Sequence, residues 1–187
     1  MTTTVHQLKI TLRGVKPPVW RRIEVASDIS LGELSGVLEA AMGWYGGHLH
    51  AFDANGTRYG THSQDWESLG LDEDKYRLAT VLSAIGSKMR FDYDFGDGWE
   101  HDVVVEAINL VEADILYPRC LTGKRSCPPE DCGGPWGYAN LLEAIADPKH
   151  PDHEDLQEWL PLDFDPTHFD LVETETDMRT PRPSFGW

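Results

Sequence analysis

Residues 89–105 read Met-Arg-Phe-Asp-Tyr-Asp-Phe-Gly-Asp-Gly-Trp-Glu-His-Asp-Val-Val-Val, and this stretch restricts the fold more than any other. Apolar and charged side chains alternate on both sides of Gly96-Asp97-Gly98. The segment therefore predicts a hairpin of two strands, Met89–Phe95 and Trp99–Ala107, with one face buried and the other in water. Because side chains alternate with a period of two, loop length decides what is buried. A two-residue Asp97-Gly98 loop would set Phe91, Tyr93 and Phe95 beside Val104, Asp102 and Glu100, and burying carboxylates against aromatics is costly. A three-residue loop with a glycine bulge avoids this. Phe95 then faces Trp99, Tyr93 faces His101, Phe91 faces Val103 and Met89 faces Val105.

On the opposite face this register sets Asp94 against Glu100 and Asp92 against Asp102. Like charges across a ladder destabilise it, so the face calls for compensation. Three sources are open: Lys9, Arg13 and Arg22 of neighbouring strands, a basic partner protein or ligand, or a hard cation such as Mg²⁺ or Ca²⁺. Asp92, Asp94, Glu100 and Asp102 are accordingly a candidate binding face, and their carboxylates could equally serve a hydrolase.

The rest of the chain gives an α+β pattern. Val5–Arg13 alternates as a strand, Gly14–Pro18 turns, and Val19–Val25 returns. Ser30-Leu-Gly-Glu33 fits a capping box that opens a helix through Leu31, Leu34, Val37, Leu38, Ala41 and Met42, stopped by Gly43. His48–Asp53 and Thr57–Gly60 flank Ala54-Asn-Gly56 as a second hairpin, with His48 and His50 on one strand face. Residues 61–77 read as loop and Thr80–Ile85 as a short helix. Past residue 115, a Cys/Pro/Gly loop (116–136) leads into a helical part (137–179). That part includes an amphipathic helix through Tyr138, Leu141, Leu142 and Ile145, a shorter helix near Glu154–Leu160, and a terminal tail (180–187). No linker interrupts the pattern, so residues 1–179 are expected to form one domain.

The formal net charge of −16 argues against a general nucleic-acid binder. The charge is uneven: residues 1–27 carry Lys9, Arg13, Lys16, Arg21 and Arg22 against Glu24, while residues 150–178 carry ten acids and no Lys or Arg. A weaker nucleic-acid reading survives in Lys9, Arg13, Trp20 and Arg22, a cation–π patch suited to a nucleotide or RNA base. The N-terminus has no basic-then-apolar leader, no apolar run spans a membrane, and three clustered cysteines do not suggest a secreted disulfide framework; a cytoplasmic location is expected.

Cys120, Cys127 and Cys132 lie in a turn-rich loop, where thiolates suit tetrahedral zinc once a fourth ligand is found. His101 is one such ligand, with His48, His50, His150 and His153 as alternatives. The spacing differs from paired C-x2-C sites, so buried reduced cysteines or a Cys120–Cys127 disulfide remain open.

Four blocks occur in order: Leu8–Arg22, Ala41-Met-Gly-Trp44 followed by His48-Leu-His50, Tyr93–His101, and Cys127-Pro-Pro-Glu-Asp-Cys-Gly-Gly134. Together they resemble the plasmid pRiA4b ORF-3-like family over residues 4–172. The resemblance implies an α/β roll, with antiparallel hairpins packed against helices. Some members are passengers of insertion sequences and carry the transposon-resolvase label "TnpR"; no activity, cofactor or catalytic residue is implied. Recombinase activity is not expected here, because the chain has no His-x-x-Arg and its N-terminal arginines fall on a sheet hairpin. The leading expectation is a non-enzymatic binding or accessory module linked to mobile elements, offering an acidic face to a basic protein. The alternatives are a metal-dependent enzyme, for instance a hydrolase, built on the acidic hairpin or the cysteine loop, and an RNA or nucleotide binder.

Overall fold

The computed structural model describes residues 4–44, 46–61 and 69–180. The first strand, β1 (Thr4–Leu12), shows how the sheet is organised. His6, Leu8, Ile10 and Leu12 are buried, while Gln7, Lys9 and Thr11 stay half-exposed, so one face meets the core and the other meets water. β1 pairs antiparallel with β2 (Trp20–Ala26), and Leu12 N–H donates to Val19 O at 3.0 Å to close the hairpin. Leu8 pairs with Ile23 and Ile10 with Arg21, which places Arg21 on the buried face.

The remaining strands are β3 (His50–Ala54), β4 (Thr57–Gly60), β5 (Leu71–Asp72), β6 (Lys88–Tyr93), β7 (Trp99–Leu110) and β8 (Arg119–Lys124). They form one eight-stranded sheet in the order β5-β4-β3-β6-β7-β1-β2-β8, antiparallel except for β4 with β5. The helices are α1 (Leu31–Met42), α2 (Leu78–Val81), α3 (Gly134–Ala146), α4 (His153–Trp159) and α5 (Leu171–Arg179). The α+β expectation holds. No helix among the described residues is long and apolar enough to cross a membrane.

α1 starts where its sequence directs. Ser30 Oγ accepts Glu33 N–H at 3.1 Å and Glu33 Oε2 accepts Ser30 N–H at 2.9 Å. Gly43 ends the helix in the left-handed conformation at φ 87°. Leu31, Leu34, Leu38 and Met42 share a single core with Leu8, Ile10, Phe52 and Phe91, and that core also takes Tyr138 and Leu141 of α3 and Met178 of α5. Each such side chain contributes roughly 1.5–3 kcal/mol by leaving water.

Four expectations need correction. In the β6–β7 hairpin, Tyr93 pairs with Trp99, Phe91 with His101, Met89 with Val103, Asp92 with Glu100 and Arg90 with Asp102. The loop is five residues, because Asp94 leaves the strand at φ 53° and its Oδ1 accepts Gly96 N–H at 3.0 Å. The slip is two residues, so the side chains that stay in β6 and β7 keep their expected faces, whereas in the loop Phe95, expected inside, is 44% exposed and Asp94, expected outside, is buried. The cysteine loop contributes an edge strand, β8, whose Gly123 and non-alternating burial hid it. The helix expected at Thr80–Ile85 lies at Leu78–Val81, since the chain must turn by Gly86, whose N–H donates to Val105 O at 2.8 Å. Within the expected 61–77 loop, the described part forms β5 and a 3₁₀ turn at Glu73–Lys75; the expected tail, beyond Thr180, lies outside the described residues.

Candidate functional site

The sheet face that β6 and β7 turn to solvent gathers the acidic candidates, and arginines with them. Arg13 lies 3.0 Å from Glu100 and 4.0 Å from Asp102. Arg90 lies 2.9 Å from Asp92, Arg58 lies 3.8 Å from Asp92, and both arginines also reach Asp53. The like-charge pair Asp92–Glu100 is thus offset by neighbours on adjacent strands. Asp94 is not on this face: it is buried and caps the hairpin loop. Arg22 is held by Glu106, and Lys9 and Arg22 flank the Trp20 ring at 5.4 and 5.5 Å. The cation–π patch exists, with the Arg22 charge already paired.

The cysteine set does not assemble. Cys120 Sγ lies against the backbone oxygens of Arg22 and Thr122, Cys127 Sγ lies 3.1 Å from Met42 Sδ, and Cys132 is half-buried just ahead of α3. His101 is fully enclosed, with Nδ1 3.1 Å from Phe91 O. Among the described residues these four do not form a three-ligand group, which corrects the zinc expectation. All three cysteines are free. Burial pushes the Cys120 and Cys127 thiols up to about 11 and Cys132 to about 12, so they stay protonated and poorly nucleophilic at neutral pH.

The histidines of His48-Leu-His50 lead somewhere else. β3 carries His50 inward, between α1 and the 3₁₀ turn. His50 Nε2 lies 3.0 and 3.1 Å from the two Glu73 oxygens, and Nδ1 lies 3.4 Å from Glu39 Oε1. Thr61 Oγ1 donates to Glu73 at 3.3 Å. Glu39 is a buried acid on α1, and burial raises its carboxyl to about 7, held back by His50 and assisted by Glu73 and Glu130. For His50, burial pulls the imidazole down, but the bond to Glu73 and the Glu73 and Glu39 charges outweigh it, and it titrates above its ordinary value. The chain passes close by as glycine: a Cβ on Gly46 would lie 2.9 Å from Glu39 Oε2.

His48 sits at the mouth of the same cleft. Its Nδ1 is 3.7 Å from Asp94 Oδ2 and its Nε2 is 3.7 Å from Asp131 Oδ1. One atom from each of the three residues falls within 4.8 Å of the others. The supports are local. Asp94 Oδ1 is engaged by the hairpin loop, leaving Oδ2 for His48, and Asp131, at φ 59°, is the exposed member of the three. The His48 ring stands edge-on to Tyr93, whose hydroxyl donates to Glu130 at 2.6 Å. Tyr93 in turn stacks on Trp44 at 4.9 Å, and Trp44 Nε1 donates to Pro128 O at 2.9 Å. A cavity of about 670 Å³ opens here, lined by Glu39, His48, His50 and Thr61. An imidazole and two carboxylates suit a divalent cation with open coordination positions.

Sequence reasoning noted His48 and His50 and counted Asp94 with the sheet face, but missed Glu39, Glu73 and Asp131. Glu39 carried a signal, as an acid on the apolar stripe of α1 between Leu38 and Ala40. Glu73 lies on an irregular segment and had none; Asp131 lies within the Cys127–Gly134 block that carries the family resemblance, but with no role attached to it.

Known proteins share this architecture. The chain is 39% identical over 160 residues to the uncharacterised protein y4hQ of Sinorhizobium fredii, covering 85% of this chain and 82% of that one. It superposes with a TM-score of 0.85 on the crystal structure of MM3350, a protein of unknown function from Methanosarcina mazei Go1, at 33% identity and covering 92% of this chain and 98% of that one. Residues 4–173 match the plasmid pRiA4b ORF-3-like protein family, and the chain belongs to that family.

Proposed function

We propose that the protein is a metal-dependent enzyme of hydrolytic type, with a divalent cation held by His48, Asp94 and Asp131 at the mouth of the His50 cleft. One observation carries the reading: three ligand atoms from three separate chain segments converge within 4.8 Å beside a buried Glu39–His50–Glu73 arrangement. Titratable groups displaced from their ordinary range in a cleft are a physical mark of functional sites. A bound cation would supply Lewis acidity and a more acidic water, and His50, oriented by two carboxylates, would be the proton-handling group. The reading joins the acidic hairpin to the cysteine loop through Asp94 and Asp131 rather than through thiols.

The accessory-module reading needs an open acidic face, and Arg13, Arg58 and Arg90 leave less of one. Calorimetric titration of chelator-treated protein with Mn²⁺, Zn²⁺, Mg²⁺ and Ca²⁺ tests the proposal. One cation is expected to bind with unit stoichiometry, to lose its affinity in His48→Ala and Asp94→Asn, and to keep it in Cys120→Ser. That cation should then support ester or phosphoester hydrolysis in a chromogenic screen. Absence of binding, or binding indifferent to His48→Ala, would sink it.

A further inference from the structure

Arg21 is the anomaly in the core. It occupies an inward position on β2 in line with Ile23 and Val25, and only 4% of it is exposed. Nε donates to Ala41 O at 2.9 Å, and Nη1 donates to Trp20 O at 2.9 Å and Lys124 O at 3.2 Å. These partners are neutral carbonyls. Among the described residues Arg21 enters no ion pair, although Arg13, Arg22, Arg58, Arg77, Arg90, Arg119 and Arg179 all do. The Nη2 donors take no part in these bonds. A buried guanidinium with no carboxylate within ion-pair distance is costly, and a ligand carboxylate brought against it would offset that cost.

The side chain is also held in place. The Phe169 ring covers the guanidinium at 4.8 Å. β8 makes room for that stack with Gly123, where a Cβ would lie 2.5 Å from Phe169 and 2.8 Å from Arg21 Cδ. The fold thus spends a glycine on an edge strand to fix the direction of one cation.

Arg21 lines a cavity of about 440 Å³ on the other side of Trp44 from the His50 cleft; the two cavities share Ala40, Trp44 and Asp177. Met42, Trp44, Phe164 and Phe169 supply its apolar lining. The remaining charge is mostly negative: Glu130, Asp170, Glu173 and Asp177 also line it, with His168 3.7 Å from Glu173. A plain anion would meet Arg21 at the cost of four carboxylates, and a plain cation would leave Arg21 uncompensated. A ligand carrying both charges satisfies both parts of the lining.

We propose that this cavity binds a small amphoteric molecule, an α-amino acid with an apolar side chain or a close analogue. Its carboxylate takes the Nη2 donors of Arg21, its ammonium group faces the carboxylates, and its side chain lies among the apolar residues. The site stands apart from the cation proposed at His48 and does not depend on it.

Thermal-shift and calorimetric titrations of the intact, metal-free protein test this with the apolar L-amino acids as probes. L-leucinamide, which lacks the carboxylate, and 4-methylpentanoate, which lacks the ammonium group, serve as controls. At least one amino acid is expected to raise the melting temperature, with each control weaker by about tenfold or more. Arg21→Gln should abolish the effect. Should that variant not fold, the Arg21 Nε–H resonance of the wild-type protein replaces it, and it is expected to shift on titration with the tightest amino acid. The proposal is overturned if no apolar amino acid binds, if a control binds as tightly as its parent, if Arg21→Gln binds like wild type, or if the Nε–H resonance stays put at saturation.

Discussion

Glu39 Oε1 lies 3.4 Å from His50 Nδ1, with the carboxyl buried on α1 and the imidazole clasped on its far side by Glu73. The contact joins the sheet to the helix layer through two titratable groups, each displaced upward from its ordinary value. Its first consequence concerns stability. Burial holds the Glu39 carboxyl at about 7 in the folded chain, against 4.5 for the free group. Between those values the folded state keeps a proton that the unfolded state has lost. The contribution is therefore full below pH 4.5 and disappears as pH rises through about 7. Wild-type protein should lose up to about 3 kcal/mol across that window from this group. Glu39→Gln, which cannot ionise, should show a flatter profile in urea denaturation at successive pH values; parallel profiles would refute the assignment.

His101 predicts the opposite slope. Its ring is wholly enclosed, and burial holds it down to about 4, against 6.5 for the free group, although bonds to Phe91 and Trp99 oppose the shift. Here the unfolded chain takes the proton first. The contribution is present above pH 6.5 and is lost as pH falls toward 4, by up to about 3 kcal/mol. His101→Leu should move the acid-unfolding midpoint downward, read by near-UV circular dichroism. An unchanged midpoint would mean that another group governs acid unfolding.

The charged sheet face makes a third, smaller prediction. Arg90 touches both Asp53 and Asp92, and Asp92 is the less exposed acid, with 16% of its side chain open. Arg90→Ala leaves Asp92 facing Glu100 with only Arg58 in ion-pair range among the described residues, so stability should fall by about 1 kcal/mol. Salt should restore part of that loss by screening the two acids. Denaturation of the variant at low and high ionic strength checks both statements.

How much of this was legible in the chain depends on the distance over which each feature is specified. α1 was readable from Ser30 and Glu33, and the β3–β4 turn from Asn55-Gly56, because caps and tight turns are set by residues within a few positions of each other. The faces of β6 and β7 were readable because parity survives a two-residue slip. Their pairing was not, since it hinges on Leu49 O accepting Asp94 N–H at 2.9 Å, a contact between hairpins. The cleft was the least legible part. Glu39, His50 and Glu73 come from a helix, a strand and a 3₁₀ turn, and only tertiary packing brings them together. The cysteines drew attention as a spaced motif, yet burial against Met42 and backbone oxygens accounts for Cys127 and Cys120.

The last prediction follows from how the His48 cluster is held. Asp94 and Asp131 belong to segments far apart in sequence, and the contact that brings them together lies between the hairpin loop and the start of α3. Gly133 N–H donates to Asp97 Oδ2 at 3.1 Å. Gly134, at φ 68°, follows so closely that a Cβ there would lie 2.2 Å from Asp97 O. Both the backbone angle and the space exclude a side chain at this position. Gly134→Ala must therefore push α3 and the loop before it away from the hairpin, carrying Asp131 from Asp94 and His48. The variant should lose about 2 kcal/mol of stability, within the range that strain at a special backbone position produces. It should also lose cation affinity, while the Glu39 and His50 side chains, anchored on α1 and β3, keep their pH dependence apart from the smallest contribution to Glu39, that of Glu130, which moves with Asp131. Calorimetry with the preferred cation, paired with pH-dependent denaturation, separates the two effects. Unchanged cation affinity in a measurably destabilised Gly134→Ala protein would show that Asp131 is not a ligand.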